Sequence, residues 1–315
     1  LRLAAQWQRR NLYGDGGNGR EKAARKLWYR DLHLMVRMLI CERRAPFVRL
    51  PLLGCLLALS MAGGGGAVGQ QQGDARAIVQ QAVNTELAAD RSDHSLWHYR
   101  MLEKQEDDSV YDVVDTAQGE VKQKIAMGGH PLSADEERVE AAKVKSFLSD
   151  PRAQAQQKKN GEHDDKSAEK LLNLLPRAFV WRVVGESGGE ITLHFDPDPN
   201  FKAPDIESRV LGAMKGELVV DAEQHRIRSI RGMLAHDVEF GYGFLGRLRQ
   251  GGTFDVERRQ VAPGSWQITE THVHIDGRAL LFKTIGEQTD EVKYDFQPVP
   301  MATTLPEAAT MVALR

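Results

Sequence analysis

Four groups of residues in this chain of 315 have types and spacings that could do chemistry. Gly185-Glu-Ser187-Gly-Gly189 matches the G-x-S-x-G pattern of a nucleophilic serine. That chemistry needs the serine on a sharp strand-to-helix turn, with its hydroxyl presented to a base and an oxyanion hole. Here both flanks, residues 179–184 and 190–195, alternate like strands, so the spacing predicts a hairpin turn whose glycines take positive φ. Gly241-Tyr-Gly-Phe-Leu-Gly246 matches G-x-G-x-x-G, but a dinucleotide site needs a helix after the glycines to hold the pyrophosphate. Residues 245–259 read as strand with a Gly251-Gly252 interruption, so a bend in the sheet is expected and no cofactor.

The third group is His272-x-His274, which places two imidazoles on one face of a strand and can begin a metal site. His236, Asp237 and Asp276 are candidates for a further ligand, but none has a metal-site spacing, so a half-exposed strand face is favoured and no metal is expected. The fourth is Asp196, Asp198 and Asp205, which share a loop with Pro197, Pro199 and Pro204. Their spacing fits no cation-wrapping loop, and a rigid rim loop is the expectation.

The elements that must position these groups are set by periodicity. Residues 74–90 form an amphipathic helix with Ile78, Ala82, Val83 and Leu87 on one face. Residues 96–103, 109–116 and 120–127 read as three strands joined by short polar turns, which favours antiparallel hairpins. A helical insertion comes next, over about 131–176. Ser133 and Glu136 form a capping box ahead of the stripe Ala141, Val144, Phe147 and Leu148, and Asp150-Pro151 ends that helix. Residues 153–165 are Gln-, Lys- and Asp-rich, and read as a mobile loop or a solvated helical stretch; a helix over 166–175 then stops at Pro176. Strands resume at 179–186, 190–195, 215–221, 227–240, 245–259, 266–276 and 280–296. Long antiparallel strands coil, so the expected fold is mainly β (α+β): a strongly curved antiparallel sheet or incomplete barrel, with an N-terminal helix and a lid-like insertion. A single domain over 70–300 and a disordered tail over 301–315 complete the expectation.

Charge divides the chain unevenly. Residues 1–50 carry twelve Lys/Arg and four Asp/Glu, a net of +8, and 51–69 carry none. Since the whole chain sums to −2, residues 70–315 carry −10. An acidic domain of this kind repels phosphate backbones, and no nucleic acid is expected as partner. The basic Arg43, Arg44 and Arg49, the apolar residues 50–62 and the small Ala67-Val68-Gly69 read as a signal peptide over 35–69, with a mature start at Gln70. Met35 or Met38 is then the true start, and 1–34 an extension ahead of it. The apolar run is short for a membrane span. Both cysteines, Cys41 and Cys55, fall in the leader, so 70–315 has no thiol for disulfides, thiolate catalysis or zinc. Leu52-Leu-Gly-Cys55 resembles a lipoprotein-processing box, and a lipid anchor at Cys55 is the alternative to free export into the periplasm or cell envelope.

Aromatic residues occur on nearly every strand: Trp97, Tyr99, Trp181, Phe195, Phe240, Tyr242, Phe244, Phe254, Trp266 and Phe282. The later strands carry a set of motifs: Asp196-Pro-Asp-Pro-Asn-Phe201, Gly216-Glu-Leu-Val-Val-Asp221, Val238-Glu-Phe-Gly-Tyr-Gly-Phe-Leu-Gly-Arg247, Gly251-Gly-Thr-Phe254 and His274-Ile-Asp-Gly-Arg-Ala-Leu-Leu-Phe-Lys283. Over about 179–300 these resemble a family of uncharacterised exported bacterial proteins. More distantly, the order helix, strands, helical insertion, strands resembles the lipoprotein-sorting fold of the LolA/LolB kind. That resemblance is architectural, and implies an incomplete barrel capped by helices over an apolar cavity for acyl chains.

The expected function is a non-enzymatic envelope protein that binds or carries a lipid, acyl chain or other apolar ligand between curved sheet and helices. Trp181, Phe240, Tyr242, Phe244, Trp266 and Phe282 are the candidate lining residues. The alternative is a structural or scaffolding protein with a solid core and a partner-binding face. A hydrolase using Ser187 or the His272/His274 pair ranks third.

Overall fold

The computed structural model describes residues 67–104, 107–240, 246–279 and 283–313. Helix α1 (Ala67–Ser92) leads into strands β1 (Leu96–Glu103), β2 (Ser109–Thr116), β3 (Gly119–Met127) and the short β4 (His130–Pro131). Helices α2 (Ala134–Leu148) and α3 (Pro151–Ala178) come next. Then come β5 (Phe179–Ser187), β6 (Glu190–Pro197), α4 (Ile206–Leu211), β7 (Met214–Asp221), β8 (Ile227–Leu234), β9 (Val238–Phe240), β10 (Gly246–Leu248), β11 (Thr253–Ala262), β12 (Ser265–Ala279), β13 (Lys283–Val299) and α5 (Leu305–Ala313).

All strands belong to one antiparallel sheet in the order β4-β3-β2-β1-β13-β12-β11-β8-β7-β6-β5, with the β9–β10 hairpin attached to β12. The sheet is curved and does not close into a barrel, as the sequence predicts. Its two ends are β4 and β5. Gly216 and Gly232 face each other across β7 and β8. A Cβ on Gly216 would lie 2.0 Å from the Arg231 carbonyl oxygen, so the two backbones approach as only glycine permits. The edge strand β5 carries a bulge between Val183 and Gly185, which discourages pairing with another chain.

α1 and α3 pack on one face, the inner face. Ala75, Val79, Ala82, Val83 and Leu87 of α1 meet Leu171, Leu174, Leu175 and Ala178 of α3 and the inward residues of β5–β8, β11 and β12. This is the main apolar core. On the outer face, α2 and α5 cover β2 and β3 through Val144, Leu305, Ala308 and Val312, which pack on Val114 and Val121.

Two expectations about the helices are corrected. Of the two readings of residues 153–165 the solvated helical one holds, and α3 runs from 151 to 178 with no break ahead of 166. Asp150 caps it by accepting from the N–H groups of Arg152 and Ala153, and Pro151 occupies the first turn, where no backbone donor is missed. Pro176 lies in the last turn instead of ending the helix. The tail 301–315 is not disordered throughout, since α5 spans Leu305–Ala313. Leu305, Ala308 and Val312 form an apolar stripe at helical spacing, and Thr304 and Glu307 exchange hydrogen bonds in a capping box. The expected strand 227–240 is split by residues 235–237, and 245–259 is split at Gly251-Gly252. The leader and both cysteines lie outside the described residues, apart from Ala67, Val68 and Gly69, which begin α1.

Candidate functional site: the inner face of the sheet

The inner face has three parts. The first is the main core, which takes two of the predicted lining residues. Trp181 is fully buried, its indole N–H donates to the Leu175 carbonyl 3.2 Å away, and its ring lies 5.2 Å from that of Phe195. Phe240 is buried with Val238 and Leu248. Both belong to the main core.

The second part is ionic. Glu86 of α1 is 5 % exposed and accepts from four donors on the sheet side. Arg226 grips it with two bonds, Nε to Oε1 at 3.0 Å and Nη2 to Oε2 at 2.9 Å. The Ile227 N–H donates to Oε1 at 2.8 Å, and Arg258 Nη1 approaches Oε2 to 2.5 Å. Burial pushes the Glu86 carboxyl upward, but the charge of Arg258 and the hydrogen bonds and charge of Arg226 outweigh it and hold the group below its ordinary range. Trp266, also predicted as lining, belongs here. It is 2 % exposed, its indole N–H donates to Gln224 Oε1 at 3.0 Å, and its ring lies 5.7 Å from the Arg226 guanidinium and 5.6 Å from that of Arg228.

The third part is an aromatic cluster of Trp97, Tyr99, Met101, Tyr111 and Val113, joined by Phe296 and, from β11, Val261 and Ala262. Tyr99 and Phe296 stack at 5.2 Å. Lys293 Nζ lies 5.4 Å over the Tyr99 ring and 3.2 Å from Glu291, and Lys122 Nζ lies 3.8 Å over the Tyr111 ring. Among the described residues no helix side chain belongs to this cluster.

Helix α3 links the parts. Its last residue leads directly into β5 at one end of the sheet, and its first half touches β3 near the other end, where Gln157 Nε2 donates to the Glu120 carbonyl. Twenty-eight helical residues span about 42 Å. α3 therefore straps the gap between the two ends. Its second half is anchored by Leu171, Leu174 and Leu175, whereas half-buried Gln154, Gln157, Asp164 and Asp165 occupy the corresponding face of its first half.

The remaining predicted residues lie elsewhere. Tyr242, Phe244 and Phe282 lie outside the described residues. Ser187 sits at the exposed end of β5, opposite Glu190, and Gly188 and Gly189 take φ of 61° and 80° in the turn to β6, so the strand–turn–helix of a nucleophile elbow is absent there. The glycine motif that ends at Gly246 runs into strand β10, not into a helix. The three loop carboxylates diverge: Asp196 pairs with Arg182, Asp198 accepts from the Asn200 N–H, and Asp205 caps α4.

His272 and His274 are on the outer face, as their spacing predicts, and share one carboxylate. Asp290 of β13 lies 2.8 Å from His272 Nδ1 through one oxygen and 2.8 Å from His274 Nε2 through the other. Burial raises the Asp290 carboxyl, and the bonds from His274 and His272 more than offset this, so it lies below its ordinary range. His236, Asp237 and Asp276 are not the partners: Asp237 accepts from the Gln250 N–H, and Asp276 from Gln288. Among the described residues no group of three or more His, Cys, Asp or Glu side chains is arranged to hold a metal ion. Instead, His272 and Asp290 end a transverse row, one residue per strand: Arg182, His194, Glu217, Arg231, Asp255, His272, Asp290. Mostly alternating charge across seven strands is a solvated, cross-paired face.

Neither the Glu86 site nor Asp290 was singled out from sequence. For Glu86 a signal existed, a charged residue within the apolar stripe Val79, Ala82, Val83, Leu87. For Asp290 none did, because its role depends on the β12–β13 register. No family model, curated protein or solved structure matches the chain.

Proposed function

We propose that the chain is a non-enzymatic, exported protein of the periplasm or cell envelope that holds a lipid, acyl chain or other apolar ligand between the curved sheet and its helices. The observation that carries this reading is the unequal anchoring of α3. One half is fixed by leucines in the main core, while the other is polar, and among the described residues the aromatic cluster of β1, β2 and β13 contains no apolar helix side chain. An apolar sheet surface with no apolar helix side chain packed into it can open to a ligand. The binding floor is therefore Trp97, Tyr99, Met101, Tyr111 and Phe296, and the first half of α3 is the part that moves. The architectural resemblance to lipoprotein-sorting carriers and the leader-like residues 35–69 support the same reading, with Cys55 as the alternative anchor.

Native mass spectrometry of the full chain, purified from a membrane-containing host, tests it. A non-covalent adduct of lipid mass is expected, together with quenching of Trp97 fluorescence by a neutral fluorescent monoacylglycerol. A bare mass with no response to that probe refutes it. The burial of Trp181 and Phe240 in the main core favours the second reading, a scaffolding protein with a solid core, which predicts the bare mass.

A further inference from the structure

The Glu86 cluster divides unevenly between sheet and helix. Every donor belongs to the sheet side: Arg226 just ahead of β8, Ile227 as its first residue, and Arg258 on β11. Only the acceptor comes from α1. The donors form a complete receptor for one planar oxyanion, a two-pronged guanidinium, a second guanidinium and a backbone N–H. The Trp266 ring beside Arg226 and Arg228 holds the receptor side in place.

The receptor also borders the aromatic floor. Arg258 lies on the same strand as Val261 and Ala262, which pack against the Trp97–Tyr111 cluster, and three to four residues of strand cover about 10–13 Å. An anion seat next to an aromatic surface has the polarity of an amphiphile.

We propose that Arg226, Arg258 and the Ile227 N–H form a binding site for the carboxylate or phosphate head of a single-chain anionic amphiphile, and that Glu86 is its internal occupant when no ligand is bound. This rests on the carrier reading above and adds the ligand's charge and orientation. The head exchanges with the Glu86 carboxylate, and the chain lies along Trp97, Tyr99 and Phe296. No covalent step is involved.

The test compares two fluorescent probes of equal chain length, a fatty acid and a neutral monoacylglycerol, on the full chain and its variants at neutral pH. Glu86→Ala removes the internal competitor and should tighten fatty-acid binding about tenfold, while leaving the neutral probe unchanged. Arg258→Met should weaken fatty-acid binding about tenfold, again without effect on the neutral probe. Glu86→Gln, which keeps helix propensity and an acceptor oxygen, should shift in the direction of Glu86→Ala and serves if the alanine variant does not fold. Acetate or inorganic phosphate should raise the Tm of Glu86→Ala more than that of the unchanged chain. If both probes bind and neither variant alters their ratio, the cluster is structural only; the proposal falls and the carrier reading stands. Rescue by acetate without binding of either probe makes the seat one for free anions and overturns the amphiphile assignment. If neither probe binds and neither salt rescues, both readings fail.

Discussion

Replacing Gly216 by alanine should destabilise the fold out of proportion to the one methyl group added. The new Cβ would stand 2.0 Å from the Arg231 carbonyl oxygen and 2.6 Å from Gly232 Cα, where ordinary contact begins at 3.4 Å. Both obstacles are backbone, so no side chain can rotate away. β7 and β8 must separate, yet the pairs Lys215↔Met233 and Glu217↔Arg231 hold them together on either side. Overpacking of this kind costs about 1–3 kcal/mol, and weakening the adjacent ladder bonds adds about 0.5–1.5 kcal/mol each. Loss of glycine's freedom in the unfolded chain returns about 0.4–1 kcal/mol. The net expectation is about 2–4 kcal/mol, or about 5–15 °C in Tm for a domain of this size. Gly185→Ala is the control: Gly185 also lies in a strand, but its added Cβ meets nothing within 4 Å and no positive φ is involved. It should be neutral or up to about 1 kcal/mol stabilising. Urea unfolding of both variants, with m-values compared, measures the difference. Equal midpoints would refute the backbone-contact account of the β7–β8 pairing.

Other outcomes rest on the same packing and electrostatics. Leu174→Ala, in the anchored half of α3, should lose about 2–5 kcal/mol by urea unfolding, whereas Gln157→Ala in the other half should lose less than about 1 kcal/mol. Ending the chain at Pro300 removes Leu305, Ala308 and Val312 from Val114 and Val121, and should cost about 4 kcal/mol or more; a chain melting like the full one would count against the docking of α5. The Asp290 carboxyl is lowered in the fold, so its stabilisation is present above the ordinary carboxyl value and is lost as pH falls through the folded one. Asp290→Asn should therefore flatten the stability decline below about pH 4 in unfolding titrations. Asp255 has the opposite sign: burial and then Glu257 raise its carboxyl, so its ionised form is destabilising. Asp255→Asn should stabilise at pH 7, with the gain vanishing as acid protonates the parent.

Hairpins were legible in the sequence wherever alternation and turn chemistry agree. The strands at 96–103 and 109–116 have the expected limits, and the glycines after Ser187 adopt the positive φ that a two-residue turn demands. Helices were legible where an apolar stripe exists, as for Val144, Phe147 and Leu148. The first half of α3 has no such stripe; it is helical through its cap at Asp150, its continuity with the leucine-rich half and its contact with β3. Three residues between 234 and 238 were enough to separate β8 from β9, which periodicity alone does not register. Of the predicted lining set, the structure puts Trp181 and Phe240 in the main core and Trp266 on the arginines. Aromatic type reports burial, whereas the neighbour that decides the use of a ring arrives through strand order. Glu86 meets Arg226 across 140 positions of sequence, a distance no local pattern bridges.

The position of β13 has a kinetic consequence. β1 and β13, the first and last strands, are neighbours in the interior of the sheet, with Leu96 opposite Val299. Hairpins β1–β2–β3 and β5–β6–β7–β8 can each form early from local contacts, but the path between them runs only through β11, β12 and β13. The joining step thus has a very high contact order and must await nearly the whole polypeptide. For the exported protein proposed above, this means a long-lived open chain before assembly, the condition in which a polypeptide can be threaded through a narrow channel.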